Sequence, residues 1–326
     1  MKVCIYGLGA IGGLMAARLA QRHDVSAIAR GRTLEAVQRN GLRIASGQPE
    51  TVSAHDIRVS DDPAALGPQD LVIVAVKTTG LPEVARRIAP LLGPRTTVLS
   101  AMNGVPWWFF HGLPAAPAAK RLASTDPDGA LSDAIDPERI LGCVVHLSAT
   151  TPEAGMVRHV AGNRLIIGEP SGGADTPRAR AVCDALADAG FDIEESDRIQ
   201  NDIWYKLWGN MTANPISAIT GATTDKMLDD DYVREFTSRC MLEAADVGAR
   251  LGIPIAGTPD ERHAVTRKLG AFRTSMLQDV EAGKKVELDA MVKAVIEIAR
   301  QVGVATPNIE ALFGLARLHA QVRGLY

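Results

Sequence analysis

The sequence predicts an α/β N-terminal domain on a doubly wound parallel sheet, followed by an all-α C-terminal domain. Three observations predict it. Short β-branched runs alternate with helical stretches through residues 1–197. A glycine-patterned hexapeptide, GLGAIG, stands directly after the first of those runs. Strand signals all but vanish from 198 to 326, where long helical periodicities take over. At 326 residues the chain has the length for two ordinary domains, and 46% hydrophobic residues supply a core for each.

Taken in order, VCIYG (3–7) reads as a strand and IGGLMAARLAQR (11–22) as a helix. DVSAIA (24–29) and RTLEAVQRNG (32–41) repeat the pair. LVIVAV (71–76) is apolar without interruption, as expected of a parallel strand covered on both faces. LPEVARRIAPLL (81–92) returns to helical spacing and TTVLSAM (96–102) to strand. This βαβαβ alternation is the signature of a doubly wound sheet. Residues 112–138, rich in Ala, Pro and Asp, read as a loop with one short helix. RILGCVVHLSAT (139–150), GMVRHV (155–160) and RLIIGE (164–169) read as three strands, the last two joined as a hairpin across AGN. A helix at 176–190 and a strand near 191–195 close the first domain. Helices are then expected at 202–218, 231–252, 259–283, 285–303 and 308–323, punctuated by Pro254 and Pro307.

Composition excludes several classes. The formal net charge is −3 and no lysine or arginine block occurs, which argues against nucleic acid or an anionic membrane as partner. No apolar run reaches the ~18 residues of a transmembrane helix. Gly7, Gly9, Gly12 and Gly13 interrupt the apolar N-terminal run, as a secretory leader would not. Cys4, Cys143, Cys183 and Cys240 are scattered and read as reduced core thiols of a cytoplasmic protein. The seven histidines are equally dispersed, so no metal is expected.

GLGAIG comprises Gly7, Leu8, Gly9, Ala10, Ile11 and Gly12, a GxGxxG between a strand and a helix. The first glycine permits the tight turn, the second admits a pyrophosphate to the backbone, and the third lets helix and sheet pack closely. The helix N-terminus then favours the anion. That context makes the sheet Rossmann-type and the ligand a dinucleotide. An NAD site usually ends its second strand with Asp or Glu for the ribose hydroxyl. Here Arg30 and Arg32 follow instead, two guanidiniums suited to a 2′-phosphate, so NADP is expected over NAD.

The helical half carries a polar stripe. In NDIWYKLWGNMTANPISAITG (201–221), Lys206, Asn210 and Asn214 recur at intervals of four, which stacks them on one side of a helix otherwise rich in Trp, Leu, Met and Ile. Hydride reduction of a carbonyl builds negative charge on oxygen, and an ammonium can stabilise that charge and supply the proton. The two carboxamides offer donors and acceptors to a hydroxyl or carboxylate. Pro215 is expected to end or kink the helix at Asn214. A second polar patch, SMLQDVEAGKKVELD (275–289), offers Ser275, Asp279 and Glu287, the last able to position Lys206 or a substrate hydroxyl. The bland alternatives are a solvent-seeking lysine and ordinary surface acids.

Together these residues resemble the ketopantoate reductases (2-dehydropantoate 2-reductases), which reduce 2-dehydropantoate to (R)-pantoate with NADPH for pantothenate biosynthesis. The resemblance runs through the whole chain in order. It implies that GLGAIG is the phosphate loop and that Arg30 binds the 2′-phosphate. AVKTTG (75–80) makes Lys77 a cofactor-side residue, and MNG (102–104) places Asn103 between nicotinamide and substrate. Ser148 falls where the family's backbone approaches the cofactor. WYKLWGNMTANP implies Lys206 as proton donor and Asn210 and Asn214 as substrate contacts, in a cleft rather than a core. SMLQD with ELD implies a substrate role for Ser275 and a catalytic, cofactor or hydroxyl contact for Glu287. The implied partner is a small keto acid, and a homodimer through the helical domain is compatible with it. Two departures stand out. Thr224 replaces an asparagine that some members use on the substrate. Trp107, Trp108, Phe109 and Phe110 form an aromatic insert that either reshapes the pocket or packs between domains or subunits. Rival readings are a dehydrogenase of another 2-keto or hydroxy acid, and a non-catalytic NADP sensor.

Overall fold

Four consecutive buried residues make Lys2–Tyr6 an interior strand, β1, of a ten-stranded sheet. The computed structural model describes residues 1–46, 51–119, 121–173 and 175–326. After β1 come α1 (Ala10–Leu19), β2 (Asp24–Ile28), α2 (Gly31–Asn40), β3 (Leu42–Ser46), β4 (Thr51–His55), β5 (Arg58–Ser60) and β6 (Gln69–Val74). α3 (Leu81–Arg87), β7 (Leu92–Ser100), α4 (Ala130–Ala134), β8 (Ile140–Glu153), β9 (Met156–Gly168), α5 (Pro177–Asp188) and β10 (Asp192–Glu195) complete this part. β5-β2-β1-β6-β7-β8 pair in that order, all parallel. This is the 3-2-1-4-5-6 strand order of the doubly wound nucleotide-binding fold. β9 then runs antiparallel to β8 and carries β3 and β10 as parallel partners, so the whole sheet is mixed. The core lies around α1, whose Leu14, Met15 and Leu19 join Val3, Ile5, Leu71 and Ile73 at no exposure.

The short strands β3, β4 and β5 were not expected from the sequence. The hairpin expected across Ala161–Asn163 is a correction. β8 and β9 are each other's partners and turn at Ala154–Gly155, with Gly155 at φ 70°. The AGN segment is absorbed inside β9. Leu147 faces Gly162 while His146 faces Arg164, which leaves Asn163 as an extra residue. Gly162, at φ 70°, provides the left-handed step that such a bulge uses. A turn-like tripeptide becomes a bulge when a long neighbouring strand offers hydrogen bonds on both sides of it.

The chain divides into two units, Met1–Met102 with Ala130–Ile199, and Asn103–Gly129 with Gln200–Tyr326. The expectation of one unbroken first domain, 1–197, is therefore revised. Residues 103–129 group with the helices because they bring four large aromatic side chains that need an apolar partner. Trp107, Trp108, Phe109 and Phe110 are all buried, and the Phe109 ring lies 5.8 Å from that of Trp204. The insert is thus core of the helical unit.

The second unit contains α6 (Ile199–Thr220), α7 (Thr224–Asp229), α8 (Asp231–Arg250), α9 (Pro259–Arg267), α10 (Ser275–Glu281), a π-turn (Asp289–Lys293), α11 (Ala294–Val302) and α12 (Pro307–Val322). α6 docks on α8 through its tryptophans. Trp204 Nε1 donates to the Ala244 carbonyl at 3.2 Å and Trp208 Nε1 to that of Met241 at 2.6 Å. Pro215, expected to end or kink the helix at Asn214, lies inside α6, which runs on to Thr220. The expected helix 259–283 is broken between Arg267 and Ser275, where Gly270 takes φ 62°. No described helix is long and apolar enough to cross a membrane.

Glu169, just after β9, is 1% exposed and accepts from Thr176 Oγ1 at 2.6 Å and Arg178 Nε at 2.8 Å, with a second ion-pair contact from Arg178. Removing one partner of such a pair leaves an uncompensated buried charge. Arg178→Met is expected to destabilise the sheet-bearing unit by about 3–5 kcal/mol, read by denaturant unfolding. A change within about 0.5 kcal/mol, as at ordinary surface positions, would show that Glu169 does not depend on this partner.

Candidate functional site

The turn between β1 and α1 is shaped by what glycine lacks. Gly7 has φ 106°, and a Cβ there would lie 2.7 Å from Val76 Cγ1. A Cβ on Gly12 would lie 2.0 Å from the Gly7 carbonyl oxygen and 3.1 Å from Ile5 Cγ2. Both positions are closed to any side chain. Gly9 is the opposite case, with nothing within 4 Å of where its Cβ would stand. Gly9 is also the N-cap of α1, which has no side-chain cap and no acidic residue in its first turn. An open backbone approach to an uncapped, positive helix end fits a pyrophosphate. Leu8 is buried, while Ala10 and Ile11 are half-buried in the first turn of α1. The turn lies between β2 and β6, as its Gly7 N–H donates to Ile28 O at 3.1 Å and Ala75 N–H donates to Tyr6 O at 3.1 Å.

Of the other expected cofactor residues of this unit, Arg30 and Lys77 sit just beyond strand ends and Ser148 within a strand. Arg30 caps the start of α2, just beyond β2, and its guanidinium is paired with Glu83 of α3. Its side chain keeps 62% exposure. Sequence reading noted no acid at the end of β2 and missed the one that α3 brings beside it. Lys77 follows β6 two residues after Ala75, half-buried, and begins a single 3₁₀ turn. Ser148 stands on β8 opposite Ala161, half-buried beside the bulge.

In the helical unit the structure brings together Lys206 and Asn103. Lys206 Nζ donates to Asn103 Oδ1 at 2.8 Å, and both residues are half-buried. Asn210, one turn on, is half-buried as well. Asn214 is 5% exposed and donates from Nδ2 to Met291 Sδ at 3.3 Å, so its amide already has a protein partner. The stripe therefore grades inward from Lys206 to Asn214. With Oδ1 engaged by Lys206, the Asn103 amide presents its N–H donors as its remaining function.

Ser275 is exposed at the first position of α10, whose cap is Thr274. Glu287 is half-buried, and its carbonyl accepts the Met291 N–H at 3.3 Å. Asp279 is half-buried on α10. Thr224 is 3% exposed, its N–H donating to Phe272 O at 3.0 Å and its hydroxyl to Gly270 O at 2.9 Å. It fastens the loop that leads into Ser275. A small pocket on another flank of α6, bordered by Gly209, Thr212, Arg262 and His263, shares no residue with the Lys206–Asn103 pair. The cysteines are buried, and burial pushes the Cys4 and Cys240 thiols up to about 12 and that of Cys183 to about 11, so none of these three is a ready nucleophile. Among the described residues, no group of three His, Cys, Asp or Glu side chains converges as metal ligands would.

Comparison with known proteins covers nearly the whole chain. Residues 3–172 match the family model described as ketopantoate reductase PanE/ApbA, and residues 198–320 match its C-terminal counterpart. A 2-dehydropantoate 2-reductase of Mesorhizobium japonicum is 42% identical over 328 residues, spanning 100% of both chains. A crystal structure from Ralstonia solanacearum MolK2, named provisionally as a ketopantoate reductase, is 50% identical with a TM-score of 0.95, covering 100% of this chain and 99% of that one. D-mandelate dehydrogenase, solved with NADH and anilino(oxo)acetate, shares the fold at a TM-score of 0.85 and 20% identity, over 100% of both chains.

The glycine turn separates a packing role from a binding role. Gly9→Ala is expected to leave the thermal unfolding midpoint unchanged and to weaken dinucleotide binding at least tenfold, measured by nicotinamide fluorescence titration. Gly12→Ala is expected to lower the midpoint as well, because its Cβ meets backbone. Undiminished binding by Gly9→Ala would remove the turn from the cofactor site.

Proposed function

Because this chain belongs to the ketopantoate reductase family, whose members are oxidoreductases acting on CH–OH groups, we propose that it reduces a small 2-keto acid with NADPH. The substrate proposed is 2-dehydropantoate, giving (R)-pantoate, as the name of the Mesorhizobium relative suggests. The observation that carries the reading is the Lys206–Asn103 hydrogen bond at 2.8 Å, in a helix whose other contacts are those of a core.

The proposed roles fall to two groups of residues. Gly7, Gly9 and Gly12 with the α1 N-terminus would hold the dinucleotide's pyrophosphate, and Arg30, with Arg32 beside it, would meet the 2′-phosphate. When bound, the reduced nicotinamide supplies the hydride. Lys206 answers the charge that reduction places on the carbonyl oxygen, first as a cation and then as proton donor. Asn103 orients the ammonium through Oδ1 and offers its N–H₂ to the substrate. Asn210 and Ser275 would contact the keto acid's carboxylate or hydroxyl, and Glu287 completes the polar set. Asn214 is better read as a support, since its amide engages Met291.

The Arg30–Glu83 pair bears on the choice of cofactor. A 2′-phosphate offers Arg30 a dianion in place of one carboxylate, and bidentate guanidinium–phosphate contacts are strong. Arg30→Ala is expected to weaken NADPH at least tenfold while leaving NADH within about twofold. Equal losses for both cofactors would overturn the preference for NADP.

Lys206→Ala is expected to lower kcat on 2-dehydropantoate by roughly 10²–10⁴-fold, the usual worth of a positioned acid, with cofactor affinity little changed. A panel of 2-keto acids, assayed with NADPH and NADH in parallel, tests the substrate. Preference for another keto acid would keep the chemistry and replace the substrate. Retained turnover by Lys206→Ala would remove its role as donor.

A further inference from the structure

The π-turn Asp289–Lys293 touches both Asn214 and the turn that carries Asn103. In an α-helix the Ala294 N–H would donate four residues back, to the Ala290 carbonyl. Here it donates five back, to Asp289 O. The Ala290 carbonyl takes the Val105 N–H instead, at 2.9 Å. Gly104, between Val105 and Asn103, has φ 81°, and a Cβ there would lie 2.8 Å from that same carbonyl oxygen. The turn that carries Asn103 is thus seated on a carbonyl that the wider helical turn released. The next residue, Met291, receives the Asn214 amide on its sulfur and donates its N–H to the Glu287 carbonyl.

The other side of the π-turn is held by the last two residues. Tyr326 Oη donates to Asp289 Oδ1 at 2.6 Å, Val286 N–H donates to Leu325 O at 3.0 Å, and Lys285 Nζ donates to Tyr326 O at 3.2 Å. Burial and the Asp289 carboxylate raise the Tyr326 phenol well above its ordinary value, so it remains a donor at working pH. π-turns are rare and persist where their surroundings over-determine them.

We propose that the π-turn is the positioning element of the Lys206–Asn103 pair, and that Tyr326, through Asp289, is a positioning residue for the reduction. The inference rests on the reading of Lys206 as proton donor. Its logic is a competition for one carbonyl. Without the Tyr326 clamp, the helix is free to tighten to α spacing, the Ala294 N–H reclaims Ala290 O, and the turn bearing Asn103 loses its seat.

The test uses the full chain with Tyr326→Phe, Asp289→Asn, their double variant, Gly104→Ala and Lys206→Ala, with 2-dehydropantoate and NADPH as probes. Tyr326→Phe is expected to lower kcat about 10- to 100-fold, in keeping with a small misplacement of a catalytic group, with KM for NADPH unchanged. The double variant is expected to be no worse than Tyr326→Phe, since both remove one interaction. Amide hydrogen exchange reads the same device without turnover, and the Val105 N–H is expected to exchange faster in Tyr326→Phe. Gly104→Ala keeps the clamp but pushes the turn off Ala290, and should reproduce the kcat loss if Tyr326→Phe folds poorly. Parental kcat and parental Val105 exchange in Tyr326→Phe, with Lys206→Ala inactive, would overturn the inference alone. An active Lys206→Ala would overturn the donor reading, and the inference with it.

Discussion

A lysine ammonium partly withdrawn from water needs an acceptor, and here the acceptor comes from 103 residues earlier in the chain. Much of the helical unit follows from that one requirement. The segment that begins at Asn103 lies among helices rather than with the sheet that precedes it in sequence. It is held by its four buried aromatics, by Gln200 Nε2 donating to His111 O at 2.8 Å, and by Glu297 accepting the Ala123 and Ser124 N–H groups at 2.7 and 2.9 Å. Such anchoring limits how far the Asn103 carboxamide can wander, and in the role proposed for it a small displacement would be expensive in rate. Packing and chemistry are thereby served by the same stretch of chain.

The sheet-bearing unit works under a steric constraint instead of an electrostatic one. β1, β2 and β6 are parallel neighbours whose ends crowd the first βα turn, so Gly7 and Gly12 have no room for a Cβ. That crowding presses the backbone into the shape an anion can approach, and Gly9 keeps the approach clear. Arg30 and Glu83 set the charge at the neighbouring strand end. An arginine already paired is oriented and partly neutralised, and the 2′-phosphate proposed to meet it would have to win it from the carboxylate. In the role proposed for Arg30, cofactor choice is a competition between two anions for one guanidinium.

Legibility in the sequence tracked how local each signal was. The alternation of β-branched runs with helical periods was readable because period and burial are properties of a few adjacent residues. The stripe of Lys206, Asn210 and Asn214 was readable because spacing by four places residues on one helical face. β3, β4 and β5 run five residues or fewer, and although β3 and β4 pair with each other, β3 joins the sheet through β9 and β5 through β2, both distant in sequence, so their local signal was slight. The AGN tripeptide looked like a turn, and only the presence of β8 alongside made it a bulge. Pro215 looked like a helix end or kink, and α6 continues through it, buried on both sides of the proline. Asn103 entered as a candidate through family resemblance, since a lone Asn–Gly pair carries no chemistry of its own.

By itself the sequence determined that a glycine-turned βα unit opens a parallel sheet and that a helical half follows with one polar stripe. These are consequences of backbone sterics and residue period, which act over a handful of positions. Tertiary structure alone decided that the aromatic insert belongs to the helices, that Glu83 meets Arg30, and that Ala290 gives its carbonyl to Val105. Each of those depends on two distant segments meeting within hydrogen-bond or van der Waals range. Which buried group takes which partner is settled by packing, because a donor shut away from water bonds whatever acceptor the fold delivers.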